Sequence, residues 1–142
     1  MNKHEITILL VEDDDIDAMS FERSIRKQKI GNQIIRVVNG QEAITLMQND
    51  LQSKPYIVLL DLNMPVMNGF EFLDYIRHDA TLRKTTVFVL TSSDDEKDIM
   101  QSYDKFVAGY FVKGSTGQQF LELISLLDGY WQLVYLPTNN IN

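Results

Sequence analysis

The stretch Tyr56-Ile57-Val58-Leu59-Leu60-Asp61-Leu62-Asn63-Met64-Pro65 places the tightest limit on what this chain can fold into. An unbroken apolar and β-forming run, bracketed by Pro55 and Pro65, reads as a strand covered on both faces, as in a parallel sheet with helices on either side. Asp61 then stands at the carboxyl end of that strand. Open α/β sheets hold their ligands beyond those ends, yet an aspartate at a loop start also serves as a turn cap. The choice between the two rests on what the other strands end in.

Ile6–Val11 is expected to be the first strand and runs into Glu12-Asp13-Asp14-Asp15. Asp14 or Asp15 suits the N-cap of a helix whose apolar face is read as Ile16, Met19, Phe21 and Ile25. Ile34–Val38, shorter and interrupted by Arg36, fits an edge strand, and Asn39-Gly40 leads into a helix carrying Ala43, Ile44, Leu46 and Met47. Phe70, Phe72, Leu73 and Ile76 mark a third helix. Val87–Leu90 is a fourth strand followed by Thr91-Ser92-Ser93, and Asp94 or Asp95 caps a fourth helix with Ile99, Met100, Tyr103 and Phe106. Tyr110–Val112 is a fifth strand ending in Lys113, and a fifth helix is expected from Ser115 through Leu127. Strand and helix alternate five times, which predicts an α/β fold with a doubly wound, five-stranded parallel sheet.

With 142 residues the chain is expected to be a single domain, residues 1–142, with a core over 6–128 and an extension over 129–142. There are no cysteines, which excludes disulfides, thiolate catalysis and cysteine-bound zinc. A net charge of −7 argues against nonspecific nucleic-acid binding, which needs clustered Lys and Arg. No apolar run reaches the length of a membrane span, and the charged start does not resemble a secretion signal, so a cytoplasmic location is expected. The extension is too apolar for a free end, and Trp131 and Tyr135 suit an interface.

Side by side, the strand ends read Glu12-Asp13, Asp61, Thr91 and Lys113. Singly, each has an ordinary explanation: Thr91 as a turn former, Lys113 as a surface lysine, Tyr110 as an edge-strand residue. Gathered together, the three carboxylates would repel one another, each pair by about 4 kcal/mol at ~4 Å with an effective dielectric near ~20. Something positive must sit among them. Lys113 supplies one charge, and the oxygen donors suit a divalent ion, foremost Mg²⁺. A carboxylate can also attack phosphorus to give an acyl phosphate, with Thr91 and Lys113 as donors to its oxygens.

The motifs Leu-Leu-Val-Glu12-Asp13, Leu-Leu-Asp61-Leu-Asn-Met-Pro65-x-x-Asn-Gly69, Thr91-Ser-Ser and Tyr110-x-x-Lys113 resemble the receiver domain of two-component response regulators. The resemblance runs from Ile6 to about Leu127 and implies a flavodoxin-like sheet with strand order 2-1-3-4-5. It also implies that Asp61 is the phosphoacceptor, with a sensor histidine kinase as the phosphodonor. Asp13 matches the direct Mg²⁺ ligand, Glu12 the acid that holds the metal through water, and the backbone carbonyl of Asn63 a further ligand. Thr91 and Lys113 match the phosphate-binding pair, and Thr91 with Tyr110 the switch pair. Asp98-Ile99-x-x-Ser102-Tyr103-Asp104, Gln119-Phe120-Leu121 and Tyr130-Trp131-x-Leu133-Val134-x-Leu136-Pro137 resemble the single-domain regulators paired with bacterial phytochromes. Those motifs imply a homodimer built from the fifth strand, its neighbouring helices and the tail. The family usually places a cis proline after the lysine, and Gly114 stands there instead, so a displaced Lys113 is expected.

Two other classes compete. An aspartyl-nucleophile, Mg²⁺-dependent phosphatase of the haloacid dehalogenase kind would carry an acid two residues after the nucleophile, where this chain has Asn63. A phosphorylation-independent dimeric interaction module would keep the fold without the chemistry, and Gly114 is the feature that favours it.

Overall fold

A computed structural model of the chain describes residues 6–27, 29–113, 125, 126 and 129. The expected fifth helix, Gly114 and the tail fall largely or wholly outside those residues, as does His4, which the sequence alone reads as an exposed histidine with no partner at ligand spacing. The described elements run β1 (Thr7–Val11), α1 (Asp15–Lys27), β2 (Ile34–Val37), α2 (Gly40–Gln48), β3 (Tyr56–Leu60), α3 (Gly69–His78), β4 (Val87–Thr91), α4 (Glu96–Asp104) and β5 (Gly109–Val112). All strand pairs are parallel, and the sheet order is β2-β1-β3-β4-β5, which leaves β2 at an edge.

Successive side chains of a strand face opposite ways, and here each face has its own core. Leu9, Val11, Val58, Leu60, Val87 and Val89 point to the side covered by Ala43, Ile44 and Met47 of α2 and by Phe72, Leu73 and Ile76 of α3. Ile8, Leu10, Ile57, Leu59, Phe88 and Leu90 point to the other side, against Ala18, Phe21 and Ile25 of α1. Each large apolar side chain so buried contributes about 1.5–3 kcal/mol before entropy is counted. The continuous apolar run in β3 is thus the signature of a strand with no wet face.

Two helices expose apolar residues that the sequence pattern assigned to their inner faces. In α1 the buried positions are Ala18, Phe21 and Ile25, spaced three and four apart, whereas Ile16 is 75% and Met19 56% exposed. Both fall off the inward stripe once Ala18 sets the helical phase. In α4 the buried residue is Ser102, whose hydroxyl donates to the Asp98 carbonyl at 2.8 Å. Met100, Tyr103 and Phe106 are exposed, and Phe106 lies beyond the helix with φ +62°. Met100 is therefore not a packing residue, while Met64 is buried and Met67 packs against the core.

Helix starts follow the caps that the sequence offers. Asp14 accepts from the Asp17 amide at 3.0 Å, and Asp95 accepts from Lys97. Asn68 and Glu71 form a reciprocal capping box at the start of α3. Gly69 is required there by crowding: a Cβ would lie 2.6 Å from Leu62 Cα and 2.9 Å from the Asp61 carbonyl oxygen. That close approach fixes the loop behind Asp61.

Candidate functional site

Strand register brings the chemistry together. Val11 pairs with Leu60, so Glu12 and Asp61 leave neighbouring strands side by side. Leu60 pairs with Val89, and Thr91 with Val112, which carries Thr91 and Lys113 to the same end of the sheet. The Asp61 amide donates to the Val11 carbonyl at 3.0 Å, and the Lys113 amide to the Thr91 carbonyl at 2.7 Å. These residues meet because four strands stop at one level.

Asp61 is buried, and its Oδ1 accepts from the Thr91 hydroxyl at 2.9 Å and from the Asn63 amide at 3.1 Å. Its Oδ2 lies 3.3 Å from Lys113 Nζ. Lys113 also donates to Glu12 Oε1 at 2.5 Å and to Asp17 Oδ2 at 2.9 Å. The ammonium keeps its contact with Asp61, so the displaced lysine expected from Gly114 is not found.

Electrostatics at this end are strained in a definite direction. Burial, with the field of Asp61 adding to it, pushes the Glu12 carboxyl up to about 7 against the downward pull of Lys113. Burial alone would lower Lys113, but its bonds to Glu12 and Asp17 and the charge of Asp61 together raise it. Glu12, Asp13 and Asp61 each present an oxygen, and those oxygens lie within 4.8 Å of one another. An all-carboxylate set open to solvent through the exposed Asp13 fits a hard divalent cation.

Three side chains absent from the sequence-based set complete the site. Asp17, from the first turn of α1, binds Lys113. Arg36 donates from Nε to the Glu12 carbonyl at 2.8 Å and from Nη1 to Asp15 at 2.8 Å, pinning the acidic loop to β2. Ser93 offers its carbonyl to the Tyr110 hydroxyl at 2.8 Å, while its own hydroxyl donates to Asp98 at 2.6 Å. Burial raises the half-buried Tyr110, and the acids at Asp98, Asp94 and Asp95 reinforce this against the Ser93 bond. Asp17 reaches Lys113 because α1 starts a few residues beyond the end of β1, which sets its first turn beside the strand ends.

The loop after β3 carries one strained residue. The Met67 amide donates to the Pro65 carbonyl at 2.8 Å, and Val66 between them has φ +68°. A β-branched residue there is unfavourable.

Residues 8–125 match the family described as the response regulator receiver domain. The chain belongs to that family. It is 30% identical over 135 residues to response regulator Rcp1 of Synechocystis sp., spanning 92% of each protein. Among solved structures, that of the phosphorylated cyanobacterial phytochrome response regulator RcpA superposes with a TM-score of 0.81 at 31% identity, covering 93% of this chain and 98% of that one. The Mn²⁺-bound form of Rcp1 gives 0.80 at 29% identity, with 93% and 99% covered. Receiver membership accounts for the β2-β1-β3-β4-β5 order and for acids collected at the strand ends. No helix among the described residues is long and apolar enough to cross a membrane.

Proposed function

We propose that this protein is a stand-alone response regulator that accepts a phosphoryl group on Asp61 from a phosphohistidine of a sensor kinase. The observation that supports it most is the buried Asp61 carboxylate, held by a hydroxyl and an amide on one oxygen and faced by an ammonium on the other. In the transfer a carboxylate oxygen of Asp61 bonds to phosphorus as the P–N bond breaks, and the imidazole leaves with that electron pair. Thr91 and Lys113 donate to the phosphoryl oxygens as charge builds on them. Glu12, Asp13, Asp61 and the Asn63 carbonyl would hold Mg²⁺, whose charge offsets that of the carboxylates and phosphoryl group.

Acyl phosphate formation draws Thr91 toward the new oxygens and leaves room for Tyr110 to move, so the surface of α4 and β5 changes. Shifting such a switch from about 1% to 99% takes about 5.5 kcal/mol of differential stabilisation, within reach of several charge-assisted bonds. The exposed Met100, Tyr103 and Phe106 support a homodimer on this side, together with the tail. The likeness to RcpA, a cyanobacterial phytochrome response regulator, supports a phytochrome-type kinase.

Asp61→Asn tests the assignment. Incubated with a labelled phosphodonor and Mg²⁺, the unmodified chain should gain acid-stable, base-labile label, and the variant none. Equal label on both would reject Asp61 as the acceptor.

A further inference from the structure

Asp17 belongs to no strand end, yet it holds one of the three N–H donors of the Lys113 ammonium. Nζ lies 2.5 Å from Glu12, 2.9 Å from Asp17 and 3.3 Å from Asp61. The lysine thus leans toward Glu12 and α1, and its longest bond is the one to the acceptor. We propose that Asp17 is a positioning residue, acting through Lys113, that competes with the group on Asp61 for the ammonium. This rests on Asp61 being the phosphoryl acceptor.

An ammonium has three donors, and here all three face carboxylates. New oxygens on Asp61 gain a full bond from Lys113 only if another partner gives way. Glu12, whose side chain is 4% exposed, loses much by being left alone. Asp17, whose side chain is 45% exposed, exchanges the ammonium for water at little cost. Asp17 is therefore the partner that lets go, and its release ties occupancy of Asp61 to the first turn of α1. Because Asp17 is the third residue of that helix, substitution by Asn keeps its size and spares the cap at Asp14.

The full chain is titrated with Mg²⁺ alone, then with beryllofluoride, a mimic of the phosphoryl group, at saturating Mg²⁺. Asp17→Asn should bind beryllofluoride about two- to fivefold more tightly, the range of one exposed ion pair, while Mg²⁺ alone binds more weakly as Lys113 settles onto Glu12 and Asp61. A variant that merely loosened α1 would not gain affinity for beryllofluoride. Asp17→Glu, which keeps the charge, should show no gain. Asp15→Asn removes the same charge from the same turn but from a partner of Arg36, and it should leave beryllofluoride affinity unchanged. Unchanged or weakened beryllofluoride binding in Asp17→Asn, or an equal gain in Asp15→Asn, overturns the proposal. Failure of the unmodified chain to bind beryllofluoride with Mg²⁺ rejects the acceptor assignment itself, a separate result.

Discussion

At the carboxyl end of the sheet Lys113 faces three carboxylates, and at the amino end Arg77 faces four carbonyls. Arg77, from the last turn of α3, donates to the Lys105 carbonyl at 2.7 Å, to those of Arg83 and Thr85 at 2.8 Å, and to that of Phe106 at 3.1 Å. These acceptors belong to the segments that lead into β4 and β5. Backbone carbonyls have no second protonation state and no rival ligand at hand, so this cation serves only to hold the chain together. Carboxylates can exchange a lysine for a metal, a proton or water. The contrast shows how one sheet keeps a rigid end and a responsive one: the difference lies in the acceptors, since both cations are half-buried.

The largest expected effect lies at the rigid end. Arg77→Ala leaves four carbonyls without their donor and should cost about 2–4 kcal/mol in urea unfolding. Labelling of Asp61 per folded molecule should stay as it was. A drop in labelling without a loss of stability would show that the two ends are coupled and that the division above is wrong.

Legibility in the sequence follows the same division. Glu12, Asp61, Thr91 and Lys113 could be found because each stands at the end of an apolar run, and parallel pairing places such ends together. Asp17 could not, since its partner Lys113 is 96 residues away and no strand end marks it. Arg77 carries no signal of its role, because backbone carbonyls leave no trace in side-chain pattern. The inward face of α1 is hidden for a related reason: Ile16 and Met19 outweigh Ala18 in hydrophobicity, but only Ala18 keeps phase with Phe21 and Ile25. The acidic notch is therefore legible in the strand ends and the strand order in the resemblance to receiver domains, whereas bonds between elements leave no mark in the sequence.

A smaller effect is expected from the buried acid. The Glu12 carboxyl sits at about 7 in the fold against an ordinary 4.5, so between those values the folded state holds a proton that the unfolded state has lost. Stability then falls as pH rises from about 4.5 to about 7 and is level beyond. In chelator, Glu12→Gln should gain stability at pH 8, at most about 3 kcal/mol, and little at pH 4. An equal gain at both pH values would place the effect in packing rather than charge.

Next in size is the contest between lysine and metal. Lys113→Ala removes a positive charge a few ångströms from the acidic cluster, so Mg²⁺ should bind about tenfold more tightly by calorimetry, allowing for solvent screening. Without metal, the same variant leaves its carboxylates uncompensated and should be destabilised; added Mg²⁺ should restore it. If Mg²⁺ affinity does not rise, Lys113 and the cation do not share these acids.

The smallest effect separates strain from charge at the responsive end. Val66 holds φ +68° in an exposed turn, a conformation that Asn tolerates far better than a β-branched residue. Val66→Asn should therefore stabilise the fold by about 1 kcal/mol, and because 81% of its surface is exposed, little packing is lost to oppose the gain. Gly69 fixes the loop from behind through its contact with Leu62 and Asp61, so relief at Val66 should leave the labelling rate of Asp61 unchanged. A slower rate in the stabilised variant would mean that the turn's strain is part of how the acceptor is presented, and that this end of the sheet responds through its backbone as well as through its charges.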